Sequence, residues 1–152
     1  MSVIAIDPGT TRSAWVCYDG FPRVFGIEDN PALLERLGMT GSFGDILVIE
    51  RIASYGMPVG DEVFETVFWS GRFAQAWGRD WTRITRREVK LHLCGSARAK
   101  DANIRQALID RFGGKEAAIG RKAAPGPLHG ISKDVWAALA VAVTFADMEV
   151  QQ

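Results

Sequence analysis

The apolar positions in the first part of the chain fall into short runs that end on polar turns. Ser2–Ile6 is an apolar run that breaks at Asp7 and passes into Pro8-Gly9-Thr10-Thr11, the pattern of a buried strand entering a turn. Arg12–Tyr18 resumes with Trp15, Val16 and Tyr18, and Asp19-Gly20 marks a hairpin before Phe21–Gly26. Together these segments predict a three-stranded antiparallel meander. Asp29-Asn30-Pro31 then offers an N-cap and an early proline, Leu33, Leu34 and Leu37 share one face, and Gly38 closes the helix. Asp45–Glu50 is another short buried strand, apolar through Ile46-Leu47-Val48-Ile49 and closed by Glu50 and Arg51.

Beyond this point helical spacing dominates. Residues 52–60 read as a loop with Gly56, Pro58 and Gly60, and Asp61 opens a long helix. Its Val63, Phe64, Val67, Phe68, Phe73, Ala74 and Trp77 recur at helical intervals. Phe68 and Trp69 are adjacent and cannot share a face, so the apolar positions of this helix spread over more than one side, for the core alone or for a further contact surface as well. Trp81–Thr85 alternates as a strand and Arg86–Leu93 reads as a short helix. Asp101 reads as the cap of a helix lined by Ile104, Ala107, Leu108 and Phe112 and stopped by Gly113-Gly114. Residues 115–131 read as a loop, and Ser132 as the cap of a last helix reaching about Asp147. The element order predicts an α/β fold, a mixed sheet flanked by helices, in one domain over residues 1–150 of the 152.

Composition adds little until charge is read by segment. Lys plus Arg and Asp plus Glu each total 18, for a net charge of zero. Residues 1–65, however, carry 4 basic and 10 acidic side chains, while residues 79–105 carry 8 basic and 3 acidic ones. An acidic half beside a basic stripe suits a metal-using enzyme that acts on nucleic acid. Two cysteines, Cys17 and Cys94, make no disulfide framework. The apolar stretch Ala137–Val143 is too short to cross a membrane, and no signal-peptide pattern opens the chain. A cytoplasmic protein without a membrane partner is expected. GxGxxG, P-loop, HExxH and zinc-finger spacings are all missing.

Three carboxylates stand at unusual places. Asp7 and Glu50 each end an apolar strand, and Asp134 precedes the apolar stretch of the last helix. If the two strands are parallel neighbours, both carboxylates face one sheet edge and Asp134 closes the group from the side. Clustered carboxylates repel unless cations bind among them. Magnesium or manganese favours such all-oxygen donors, and two such ions support phosphodiester hydrolysis. Singly, each residue has a plainer role, as turn former or helix-dipole partner.

Ile4-Ala5-Ile6-Asp7-Pro8-Gly9-Thr10 resembles the opening motif of the RuvC family of Holliday junction resolvases, within the RNase H-like superfamily. Val48-Ile49-Glu50 is similar to its second acidic strand, and Glu88-Val89-Lys90 through Gly95-Ser96-Ala97 and Lys100 to its basic region. Asp134 with Ala137–Ala142 resembles its C-terminal catalytic helix. The resemblance implies a five-stranded RNase H-like sheet and a homodimer that nicks four-way or other branched DNA in recombination and repair. It implies two Mg2+ or Mn2+ ions held by Asp7, Glu50 and Asp134, with Lys90 and Lys100 serving DNA binding and cleavage. One departure stands out. Where the family carries a second Asp or a His three residues before the last Asp, this chain has Ile131. His129 and, more weakly, Asp101 are the candidate substitutes.

The basic stripe completes the expectation. Lys100 adjoins a helix N-terminus, which favours a phosphate, and Arg86, Arg87, Lys90, Arg98 and Arg105 extend that contact along a DNA backbone. Tyr55 and Met57, in the loop after Glu50, are placed to stack on unpaired bases or to pack within the protein. Two other readings remain open at this level. One is a branched-DNA-binding protein with weakened catalysis, and the other an actin-like nucleotide binder, since DxGT turns also cradle phosphates.

Overall fold

The strand at the centre of the sheet is the most apolar one, because it has a neighbour on each side and a helical layer on each face. In the computed structural model, residues 1–39 and 44–152 are described, and β1 (Val3–Asp7) pairs antiparallel with β2 (Arg12–Tyr18) and parallel with β4 (Ile46–Arg51). β3 (Pro22–Asp29) extends the meander, and β5 (Trp81–Thr85) runs parallel to β4. The five-stranded sheet has the order β3-β2-β1-β4-β5. The proline at the start of β3 sits on an edge strand, where a missing N–H is tolerated.

Alternation along β1 divides the core in two. Val3 and Ala5 join Val48 and Val16 on one face, beneath α6 (Val135–Val150) and the helices α3 (Arg86–Cys94) and α4 (Asp101–Arg111). Ile4 and Ile6 join Leu47, Ile49 and Trp15 on the other, beneath α1 (Asn30–Gly38) and α2 (Asp61–Trp77). This is the period-two pattern of a strand whose two faces are both buried. α6 is apolar nearly all round, with Ala138, Leu139, Ala140, Val141, Ala142 and Val143 all buried, because the sheet covers one side and α3 and α4 another. Among the described residues no helix is long and apolar enough to cross a membrane.

On α2, Phe73 and Trp77 are buried, whereas Phe64, Val67 and Phe68 are exposed, so the aromatic repeat covers two faces of the helix, as its spacing required. Three other expectations are corrected by packing. Residues 115–131 are no plain loop. They hold a short helix, α5 (Lys115–Ala118), and a two-stranded hairpin, β6 (Gly120–Arg121) with β7 (Ala124–Pro125). Gly126 is required there, since a Cβ would lie 2.3 Å from the carbonyl oxygens of Ala117 and Ala118. The last helix starts at Val135 with Asp134 at the cap position, not Ser132. Asp101 is likewise the first residue of α4 and not its cap.

Candidate active site

Parallel pairing brings three chain segments to one sheet edge. β1 and β4 pair in the register Ile6↔Ile49, so the next residues, Asp7 and Glu50, stand side by side at the carboxyl ends of the two strands. β4 and β5 pair as Glu50↔Ile84 and Arg51↔Thr85, which sets the first residue of α3, Arg86, beside Glu50. The carboxyl edge of parallel strands is where open α/β sheets form their clefts. Here a cavity of about 330 Å³ is lined by Asp7, Glu50, Arg86, Asp101, Lys133 and Asp134, among others.

The turn after Asp7 is fixed by a knot of buried polar groups. Asn30, fully buried, donates its Nδ2 to the Gly9 carbonyl at 2.9 Å and accepts the Ser13 hydroxyl at 2.6 Å. The same Ser13 Oγ accepts the Gly9 N–H at 3.1 Å. Gly9 itself passes so close to the Arg12 carbonyl that a Cβ would sit 2.2 Å from the oxygen. Buried polar groups satisfied in this way hold one geometry. Sequence reading had no signal for Asn30 beyond helix initiation, because its partners lie 17 and 21 positions away.

The electrostatics of the cleft follow from that placement. The Asp7 carboxyl is pushed up from 3.8 to about 9, first by burial and then by the Glu50 charge and a hydrogen bond shared with Glu50. Asp134 adds to the rise, and the Arg86 guanidinium opposes it. Arg86 reaches Glu50 with Nη1 at 3.4 Å and Asp101 with Nη2. It therefore stands inside the cleft beside Glu50 as a counter-cation.

The other basic groups sit outside this cavity. Arg87 and Lys90 line a neighbouring groove of about 220 Å³ with Tyr55, which is 60% exposed. Arg105 lies with Asp101, Lys133 and Trp136 along a further groove. Lys100 is exposed at the cap position of α4, where its N–H donates to the Asn103 side chain at 2.8 Å, and Arg98 is exposed on the preceding loop. Thr85 and Glu88 form a reciprocal capping box that orients α3 and the start of this stripe.

The two substitutes for a further ligand take different places. His129 is exposed, and its Nδ1 lies 3.1 Å from the Ile119 carbonyl; it does not line the cavity. Asp101 does line it, tied to Arg86. Ile131 is 8% exposed, packs in the core and does not line the cavity. Ala137, one turn after Asp134, lines it instead. Lys133, with φ of 49°, is a cleft residue that the sequence did not single out.

The oxygen-only donors Asp7, Glu50 and Asp134 fit magnesium or manganese in kind. As the side chains stand, no three His, Cys, Asp or Glu among the described residues are gathered closely enough to hold one ion. Glu50 is turned toward Arg86 and Asp7.

A mixed sheet of order β3-β2-β1-β4-β5, an antiparallel meander continued by parallel strands, with helices on both faces and carboxylates at the ends of β1 and β4, is an RNase H-like fold. No family model matches the chain, and no curated protein matches it in sequence. Solved structures do match. A RuvC structure from Thermus thermophilus aligns with a TM-score of 0.69 at 19% identity, over 99% of this chain and 96% of that one. T. thermophilus RuvC in complex with Holliday junction substrate gives the same TM-score, 0.69, at 19% identity over 98% of this chain and 96% of that one. The likeness spans the sheet and both helical layers, and it establishes a RuvC-like fold.

Proposed function

We propose that this chain is a divalent-metal-dependent endonuclease that nicks four-way or other branched DNA, acting as a homodimer. The observation that carries the reading is the juxtaposition of Asp7 and Glu50 at one sheet edge with Asp134 across the cleft, in a RuvC-like fold. Asp7, Glu50 and Asp134 would hold two Mg2+ or Mn2+ ions. When bound, such ions activate a water and neutralise charge on the scissile phosphate. Asp7 would hold such an ion as a carboxylate, the added positive charge offsetting the burial and the Glu50 charge that raise it. Arg87, Lys90, Arg98 and Arg105 bind the phosphate backbone, and Lys100 places a further cation at the start of α4. Tyr55 offers a stacking surface to an unpaired base.

Residues 1–150 form the single nuclease domain of this reading, with a cytoplasmic setting that agrees with the free Cys17 and Cys94. The exposed Phe64, Val67 and Phe68 on α2 supply an apolar face for the second subunit. A second reading, a branched-DNA binder with weakened catalysis, is favoured by Ala137 at the cleft position one turn beyond Asp134. The test is nicking of four-way, three-way, flap and linear DNA in Mg2+ and in Mn2+, with Asp7→Asn as control. Wild type is expected to cut branched DNA, and Asp7→Asn to bind it uncut. Nicking by pure Asp7→Asn would sink the catalytic assignment, and binding without cutting by wild type would favour the second reading.

A further inference from the structure

Arg86 contributes to the cleft in a way that a contact to DNA does not explain. Its guanidinium reaches two carboxylates from different elements, Glu50 on β4 and Asp101 at the start of α4. The Glu50 side chain is only 10% exposed, so its charge is poorly served by water and depends on a protein cation. Among the described residues, Arg86 is the cation paired with Glu50 in the cleft. The register Arg51↔Thr85 and the capping box at Thr85 fix where α3 begins, and so where Arg86 starts. The Asp101 carboxylate, by contrast, is 86% exposed and holds the guanidinium from the solvent side of the cleft.

We propose that Arg86 is a resident counter-cation that holds the place of a divalent ion at Glu50 and must release that carboxylate when the ion loads. This rests on the metal-dependent reading above and adds its control. Guanidinium and metal compete for the same oxygen, so the site is neutralised in either state and its affinity for metal is held down until Arg86 finds another anion. The phosphate backbone of bound DNA is an anion of the right kind, and a guanidinium pairs with it in a bidentate manner. Metal loading thereby becomes coupled to substrate.

The test uses the full chain without DNA and reads Mn2+ affinity by titration calorimetry. Arg86→Gln and Arg86→Met, the latter keeping the apolar stem, are compared with wild type, Arg86→Lys and Glu50→Gln, with folding checked by circular dichroism. Removing the charge is expected to tighten Mn2+ binding by about tenfold or more, in both neutral variants. Arg86→Lys is expected to stay close to wild type. Affinity in Arg86→Gln and Arg86→Met that is unchanged or weaker would overturn the counter-cation role. Failure of Mn2+ to bind wild type and neutral variants alike, or binding indifferent to Glu50→Gln, would overturn the metal reading itself.

Discussion

Replacing Asp7 with asparagine removes a buried carboxyl that sits against Glu50, and the consequence for stability can be worked from the cleft. The Asp7 carboxyl titrates at about 9 in the folded protein against an ordinary value of 3.8. Across that interval the folded protein keeps a proton that the unfolded chain releases. The stability associated with this group is therefore whole below the ordinary carboxylate value and is lost as pH climbs toward about 9. A single group with such a shift gives a slope of at most about 1.4 kcal/mol per pH unit. Solvent in the open cleft screens the pair, which narrows the pH window over which this slope acts and leaves the slope itself unchanged. Between about pH 5 and about pH 8 the metal-free wild type is expected to lose about 2 kcal/mol that Asp7→Asn does not lose. For a chain of this size that is a change in Tm of about 4–8 °C. Urea unfolding at each pH with chelator present measures it. Identical pH slopes in the two proteins would refute the account of Asp7, whatever their activities.

Two further outcomes test how the cleft is held. Asn30→Ala leaves the Gly9 carbonyl and the Ser13 hydroxyl without their buried partner, and is expected to cost about 1–3 kcal/mol in chemical denaturation and to reduce Mn2+ binding through loss of the Asp7 turn. Phe73→Ala empties a fully buried position beneath the sheet on the face away from α6. It is expected to cost about 3–5 kcal/mol while leaving junction binding by the folded fraction intact, as a gel-shift assay under native conditions would show.

Much of the sheet was legible because β1 and β4 are buried on both faces, and a short apolar run that stops at a carboxylate fits little besides a buried strand reaching a sheet edge. Asp7 and Glu50 thus fall at one edge once their strands are taken as parallel neighbours, and the bounds of α2 emerged from its helical spacing. Directions were harder. Periodicity reported that α2 is apolar but not that Phe64 and Phe68 face outward while Phe73 and Trp77 face in, since nothing in the spacing separates two apolar faces. The β6–β7 hairpin has two-residue strands, too short for any period to register. Asp101 looked like a cap because Asp is a good cap, and its actual partner Arg86 lies 15 residues back. The Asn30 knot was hidden for the same reason: its meaning is tertiary.

The cleft draws its carboxylates from positions 7, 50, 101 and 134 of a 152-residue chain. Contacts so distant in sequence form late, after local helices and the hairpin pairing of β1 with β2. During synthesis the basic stripe of α3 and α4 leaves the ribosome well before α6, and until that last helix docks there is no Asp134 opposite Asp7. On the proposed nuclease function, a partly made chain would therefore present its basic stripe before the carboxylates that surround the cleft can meet.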